Sequence, residues 1–264
     1  IDLLNDHVEL HRRHVELDLV DDLLMKYSGN VMPSVVDKLP EGIKEVHSTD
    51  NLEIKNKKIL DNSLKRENNQ RNKLISGLSD VHDEDLILSS DLDEIPNFSN
   101  FKLKKKITLF EQDVFYYKFN LMQPNFKWIG TRACKKKDLV GFQWLRNIKS
   151  KAYPFWRLDT LFSDKRYMDI EIIKNGGWHF TSIKKPEEIF YKLSNFMHHL
   201  EFEESGLSLE DMENMVNQKK ILYDHTVAQE DKKYTGNLTL DKVSTDILPD
   251  YIKNNLGLYK EWID

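Results

Sequence analysis

A helical pattern that leads into a short apolar strand is the feature that most restricts the fold. Between about Ile59 and Leu78, six positions recur every three or four residues, so they lie on one face of a helix. They are Leu60, Leu64, Glu67, Arg71, Leu74 and Leu78. A strand is predicted from Leu86 to Ser90, and β-rich sequence follows in ITLFEQDVFYYKFNL. This alternation predicts an α/β fold with a mostly parallel central sheet flanked by helices.

Two charged residues interrupt the apolar face of this helix. Glu67 and Arg71 are four residues apart, in the order that stabilises a helix by about 0.2–0.5 kcal/mol when the pair is exposed. A buried pair is more costly because both ions lose water. In the alternative interpretation, the middle of the helix faces a polar pocket where Glu67, Gln70 and Arg71 bind a ligand.

Three acidic residues, Asp91, Asp93 and Glu94, follow the predicted strand directly. Ligands of open α/β sheets bind beyond the carboxyl ends of the strands, and alternate carboxylates of an extended segment project to the same side. Asp91 and Asp93 are therefore candidate ligands of one hard divalent cation, which would relieve their mutual repulsion. An acidic turn closed by Pro96 explains the same residues without a metal.

The segment NGGWHFTS, residues 175–182, supplies further candidates. Gly176 and Gly177 allow a close approach of the backbone, Trp178 offers a face on which a sugar or uracil can stack, and His179 offers a nitrogen to a metal. The alternative is a turn followed by a core aromatic residue and a hydrogen-bonded histidine.

A later helix is predicted to begin at Pro186. Its apolar face comprises Ile189, Leu193, Phe196 and Leu200. His198 and His199 lie near its end, where histidines often serve only to interact with the helix dipole.

The stretch RENNQRNKLISGLSDVHDEDLILSSDLDEIP, residues 66–96, resembles the metal-binding core of glycosyltransferase family 17. GGWHF at 176–180, FMHHLEF at 196–202 and LPDYIKNN at 248–255 follow in the order of that family's later motifs. The resemblance covers roughly residues 59–264.

This resemblance implies a GT-A-like nucleotide-sugar transferase fold in a single domain, residues 1–264, with an atypical or truncated part at residues 1–50. It implies a UDP-sugar donor, N-acetylglucosamine above all, a glycan acceptor and inversion at the anomeric centre. It also implies that Asp91, Asp93 and His179 hold Mn²⁺ or Mg²⁺. The implied donor-binding residues are Arg66, Glu67, Gln70, Arg71, Asp91, Asp93, Glu94, Arg146 and Trp178. His199 and Glu201 match a His-x-Glu pattern of the family and are implied as catalytic, metal or donor groups.

The amino-terminal part departs from the family's pattern. Family 17 chains open with a strand that lines the nucleotide pocket, and only residues 17–30, LDLVDDLLMKYSGN, form a shortened counterpart here. Either an opening strand lies outside this sequence, or the pocket is built differently. The first 27 residues are predicted as one or two amphipathic helices, and GIKEVHS at 42–48 as a short strand.

Composition limits the partners and the compartment. A formal net charge of −5 provides no basic field for nucleic acid. No apolar stretch approaches the roughly 20 residues that a membrane helix needs. A single cysteine, Cys134, favours a reducing, cytoplasmic location; the alternative is a Golgi-lumenal catalytic domain without its anchor.

Two other function classes remain open at this point. A HAD-type phosphohydrolase would use Asp91 as nucleophile and Asp93 as acid/base, although Glu94-Ile95-Pro96 lacks the small hydroxyl residue that such enzymes carry after this motif. The other class is a non-catalytic carbohydrate-binding protein on a transferase fold, against which the intact Asp91 and Asp93 argue.

Overall fold

The computed structural model describes most of the chain from residue 42 onwards. The described residues are 42–47, 49–99, 101–151, 153, 156–157, 160, 162–167, 169–195, 199–224, 234 and 236–264. They fall into two units, Ile1–Arg66 and Glu67–Asp264. The predictions for residues 1–27 and 17–30 and for His198 lie outside the described residues, and the single domain stays a prediction.

The described part of the first unit consists mainly of the beginning of a long helix, α1 (Leu52–Lys73). Asn51 caps this helix, since its side chain accepts a hydrogen bond of 2.9 Å from the backbone N–H of Ile54. Lys44 exchanges two backbone hydrogen bonds with the side chain of Asn62. The strand predicted at 42–48 is therefore wrong over residues 42–47, because the backbone there bonds to a helix side chain and not to another strand.

The predicted apolar face of α1 is not buried in this unit. Leu60 and Leu64 are both exposed to more than a third. Isolated exposed leucines are common on protein surfaces, so the spacing alone was a poor indicator of burial.

The second unit begins within α1 at Glu67 and is built around a seven-stranded sheet. A 3₁₀ turn, Leu74–Leu78, follows α1, so the predicted helical region does end at Leu78, but it begins at Leu52 and not near Ile59. The strands are β1 (Leu86–Ser89), β2 (Glu94–Pro96), β3 (Ile107–Tyr116), β4 (Leu121–Lys135), β5 (Ile170–Ile173), β6 (Gly177–Thr181) and β7 (Asp241–Lys242). Their order is β1-β4-β3-β6-β2; β5 also pairs with β3, and β7 pairs with β4.

The sheet is mostly antiparallel, and the prediction of a mostly parallel sheet is wrong. Among the described strands, only β3 with β5 and β3 with β6 pair in parallel, whereas β1–β4, β3–β4, β2–β6 and β4–β7 are antiparallel. The reason lies in the short connection between β3 and β4, residues 117–120. A parallel crossover needs a dozen or more residues, so these two long strands can pair only as antiparallel neighbours. The structure is thus a mixed α/β open sheet with helices.

Five further helices of the described chain accompany this sheet. They are α2 (Phe142–Asn147), α3 (Pro186–Asn195), α4 (His199–Ser205), α5 (Leu209–Asn217) and α6 (Asp250–Asn254). The predicted start at Pro186 is confirmed, and Ile189 and Leu193 are buried as expected. Phe196 and the side chain of Leu200 lie outside the described part of the chain.

Three apolar clusters hold the sheet and the helices together. One joins β3 and β4 to α2 through Leu109, Cys134 and Leu145, a second joins Val114 on β3 to Ile189 on α3, and a third packs Phe115 and Phe180 against α6. Because neighbouring residues of a strand face opposite sides, Val114 and Phe115 belong to different clusters. Within the described residues, no helix combines the length and the apolar character required to cross a membrane.

Candidate functional site

A tight turn after β1 sets the positions of the acidic residues. The backbone N–H of Glu94 donates to the carbonyl of Asp91 at 3.0 Å, and the hydroxyl of Ser90 donates to the carbonyl of Glu94 at 2.7 Å. The chain then returns as β2, which pairs with β6. The Asp91 side chain is left 41% exposed, whereas the Glu94 side chain is 1% exposed.

The buried carboxylate of Glu94 is fully used by neighbouring donors. Trp128 Nε1 donates to Oε1 at 2.8 Å, and the backbone N–H of Asp91 donates to Oε2 at 3.0 Å. Arg146 donates to both oxygens, at 2.7 and 3.1 Å. These contacts stabilise the turn and the position of Arg146, and the predicted contact of Glu94 with the UDP-sugar donor stays a prediction.

Arg146, on the short helix α2, connects the acidic turn to the sheet. It donates to Asp91 Oδ2 at 2.6 Å and to the carbonyl of Gly130 on β4 at 3.1 Å. Burial opposes its charge, but the hydrogen bonds to Glu94 and the charge of Asp91 outweigh burial and raise the pKa of Arg146. Leu145 and Ile148 are buried beside it and fix α2 against the sheet.

Arg71, on α1, reaches the same carboxylate from the other side. Its guanidinium lies 2.7 Å from Glu67 Oε1 and 3.5 Å from Asp91 Oδ1, and it donates to Gln143 Oε1 at 3.2 Å. The ion-pair interpretation is confirmed by this contact, whereas the interpretation that Glu67, Gln70 and Arg71 bind a ligand in a polar pocket stays a prediction. Gln70 is half-buried on the same helix.

Asp93 faces a different group of residues. His179 Nε2 lies 3.4 Å from Asp93 Oδ2, and the imidazole packs against Trp128 with ring centroids 5.2 Å apart. Burial would raise the pKa of Asp93, but the hydrogen bond and charge of His179, with the more distant Lys192, lower it overall. Nδ1 of His179 is buried and has no hydrogen-bond partner among the described residues.

Arg132 on β4 is a member of the site that the sequence did not single out. It is 7% exposed, and its electrostatic neighbours are Arg146, Glu94, Asp91 and Arg71. Trp128 was missed as well. The available signal was the presence of Trp128 and Arg132 within FKWIGTRACK, where a buried strand would be expected to carry apolar residues.

Gly130 makes room for this arrangement. A β-carbon at this position would lie 1.9 Å from Gln112 Oε1 and 3.0 Å from the carboxyl carbon of Glu94. Gln112 is itself fully buried and donates to Thr131 Oγ1 at 3.3 Å. The glycine therefore allows the polar side chains of β2 and β3 to approach the backbone of β4.

In the second unit, no described contact brings Trp178, His199 or Glu201 to the acidic turn. Trp178 lies on the face of β6 opposite to His179 and donates from Nε1 to the carbonyl of Ile247 at 2.7 Å. His199 and Glu201 are half-buried on α4, and Glu201 is close enough to Tyr234 to contribute, after burial and Tyr223, to the raised pKa of that phenol. Arg66 is exposed and belongs to the first unit.

Two open grooves border the acidic turn. One, of about 600 Å³, is lined by Asn72, Gln143, Trp144 and Asn147, among others, and meets the cluster at Gln143. The other, of about 470 Å³, is lined by Leu92, Asp93, Ile95, Phe119, Phe180 and Lys192, among others. Asp93 thus lines the second groove, whereas Asp91 is connected to the first only through its contact with Arg71, which bonds to Gln143.

A preformed metal centre is not evident. Within the described ranges, no group of three or more His, Cys, Asp or Glu side chains is placed to hold a metal ion. The predicted ligands divide into Asp91, which contacts arginines, and Asp93, which contacts His179.

Comparisons of the chain with protein-family models, with curated proteins and with solved structures find no match.

Proposed function

We propose that this protein is a metal-dependent glycosyltransferase that moves a sugar, N-acetylglucosamine in this proposal, from a UDP-sugar to a glycan acceptor with inversion. The observation that carries the proposal is the contact of the half-exposed Asp91 with the guanidinium groups of Arg71 and Arg146, at 3.5 and 2.6 Å. Planar guanidinium groups bind phosphate oxygens through paired hydrogen bonds. The ordered motifs that resemble family 17 support the same function.

The two grooves suit the nucleoside of the donor and the glycan acceptor. In the proposed arrangement the nucleoside occupies the groove beside Gln143 and Trp144, because Gln143 also bonds to Arg71 and so adjoins the diphosphate position. The acceptor occupies the groove beside Asp93. Phe119 and Phe180 give that groove an aromatic floor, on which the apolar face of a sugar ring can pack.

The candidate metal ligands of the protein suit an ion that is also held by the substrate. Asp93 and His179 would supply a carboxylate oxygen and an imidazole nitrogen, and Asp91 a second carboxylate, while the diphosphate would add further oxygens. Mn²⁺ or Mg²⁺ bound there would neutralise charge that develops on the departing UDP. In the free protein the oxygens of Asp91 contact Arg71 and Arg146. Asp91 would therefore bind the metal ion when the diphosphate binds to those two arginines.

Inverting transfer also requires a base that accepts the proton of the acceptor hydroxyl. His199 and Glu201 on α4 are proposed for this role because they match the His-x-Glu pattern that the family resemblance implies. Their test is a pair of single variants, His199→Gln and Glu201→Gln. The variant of the base is expected to bind UDP normally and to lose transfer.

The proposal is tested by UDP release from UDP-N-acetylglucosamine, with and without Mn²⁺ and a glycan acceptor. Asp91→Asn and Asp93→Asn are each expected to abolish release while circular dichroism stays unchanged. Asp80→Asn, at an exposed aspartate away from the turn, is the matched control and should release UDP normally. Normal UDP release by either Asp91→Asn or Asp93→Asn would remove that residue from the reaction.

The same assay separates the other classes of function. A phosphohydrolase would release inorganic phosphate from simple phosphate esters through Asp91, and it would leave UDP-sugars intact. A carbohydrate-binding protein would bind a glycan without any UDP release. Either result would replace the proposed function.

A further inference from the structure

Two of the three guanidinium nitrogens of the buried Arg132 have no acceptor among the described residues. Its guanidinium atoms Nε and Nη1 are buried, and no described residue accepts a hydrogen bond from either of them. A buried charge is costly unless it is paired and hydrogen-bonded. In the free protein this arginine therefore costs stability, and a role in the fold does not account for it.

The nearby carboxylates do not supply the missing acceptors of Arg132. Asp91 and Glu94 contribute to the field at Arg132, but their oxygens are already contacted by Arg146, and Asp91 also by Arg71. Burial and the like charge of Arg146 lower the pKa of Arg132 to about 10, so it stays protonated at neutral pH. Glu67 is paired with Arg71. The three arginines and the three carboxylates balance in formal charge, but Nε and Nη1 of Arg132 still lack an acceptor, which a ligand oxygen would supply.

Exposure decreases from Asp91 through Arg71 and Arg146 to Arg132. The Asp91 side chain is 41% exposed, that of Arg71 22% and that of Arg146 13%, and Arg132 lies deeper at 7% for the whole residue. Asp91, Arg71 and Arg146 are all electrostatic neighbours of Arg132, so an anion beside Asp91 would lie close to the three arginines. A diphosphate, with several acceptor oxygens, can contact more than one of them.

We propose that Arg132 is an anion-binding residue that pairs with a phosphate oxygen of the nucleotide-sugar diphosphate. The choice of diphosphate rests on the proposed function. The unpaired state of Arg132 in the free protein is then a cost in stability that ligand binding reverses, as is common for residues of binding sites.

The test compares Arg132→Met with the wild type in thermal melts and in calorimetric titrations with UDP, pyrophosphate and uridine. Arg132→Met is expected to melt at a higher temperature than the free wild type and to bind both UDP and pyrophosphate at least tenfold more weakly. Uridine, which lacks phosphate, should bind both proteins equally. Arg166→Met, at an exposed arginine, is the control for binding and should leave the affinities for UDP and pyrophosphate unchanged.

A lower melting temperature with unchanged pyrophosphate affinity would overturn the assignment and make Arg132 a structural residue. If Arg132→Met does not fold, Arg132→Gln replaces it; failure of both variants to fold would equally show a structural role. If the wild type binds pyrophosphate through Arg132 but transfers no sugar, the anion site stands and the proposed function is wrong. If the wild type transfers sugar and Arg132→Met binds UDP normally, the proposed function stands and the assignment of Arg132 is wrong. A wild type that binds neither UDP nor pyrophosphate overturns both.

Discussion

Asp91 and Glu94 are three residues apart, yet their surroundings give them different roles. Glu94 is buried, and each of its oxygens accepts hydrogen bonds from groups of the protein. Asp91 is half-exposed and contacts Arg71 and Arg146, two arginines that can bind a ligand anion in its place. In the sequence the two acids look equivalent, because exposure depends on β2 pairing with β6, a contact between distant parts of the chain.

Glu94→Gln is expected to lower the free energy of unfolding by about 3–5 kcal/mol, because it removes one partner of a buried charge pair and leaves Arg146 without its main acceptor. Asp91→Asn should cost much less stability, since its side chain is partly in water. Urea denaturation of both variants measures the difference. Equal losses would show that the two carboxylates support the fold alike.

The lowered pKa of Asp93 predicts a pH dependence of stability. Because the folded protein binds this proton less tightly than the unfolded chain, whose pKa is about 3.9, the contribution is present above that value and is lost as pH falls below it. Denaturation of wild type and Asp93→Asn between pH 2.5 and 6 should give curves that differ above about pH 4 and converge in more acid solution. Asp80→Asn is the control. A constant difference at all pH values would contradict the role of the charged carboxylate.

The acidic turn depends on the short strand β2, whose partner in the sheet is β6. The backbone N–H of Phe180 donates to the carbonyl of Asp93, and that of Asn97 donates to the carbonyl of Gly176, both at 2.8 Å. Gly177 has a φ of 140°, and a β-carbon there would lie 2.1 Å from the carbonyl oxygen of Ile95. The glycine pair was predicted to allow close approach to a ligand, but in the structure it allows close approach of β2.

Gly177→Ala is therefore expected to separate β2 from β6. The cost is about 2–6 kcal/mol, from overpacking of about 1–3 and backbone strain of about 1–3 kcal/mol. Hydrogen exchange should show faster exchange at the Asn97 and Phe180 amides, and UDP affinity should fall because Asp91 and Asp93 lose their positions. Gly257→Ala is the matched control, since no described atom lies within 4 Å of the place that its β-carbon would take. Unchanged exchange at these two amides would show that β2 is not held by this contact.

At the scale of the whole molecule, local patterns were predicted well and long-range arrangement was not. The helix ending near Leu78, the strand before Asp91 and the helix starting at Pro186 follow from spacing and capping residues nearby in sequence. Strand direction depends on which strands become neighbours, so the antiparallel sheet was missed. Arg132 was missed as a site residue because its neighbours Arg71, Asp91 and Arg146 come from three separate segments.

UDP and Mn²⁺ are expected to stabilise the protein together much more than either does alone. Without UDP, the oxygens of Asp91 contact arginines and Asp93 contacts His179, so the ion meets few available ligands. A ligand at 100 times its Kd stabilises the native state by about 2.7 kcal/mol, which corresponds to a rise in Tm of about 5–10 °C for a protein of this size. Thermal melts with UDP and Mn²⁺, UDP with a chelator, Mn²⁺ alone and uridine with Mn²⁺ measure the coupling, and Asp91→Asn should abolish it. An equal rise in Tm with UDP in the presence of a chelator would show that the arginines bind the diphosphate without a metal, and the metal-dependent form of the proposed transfer would then be wrong.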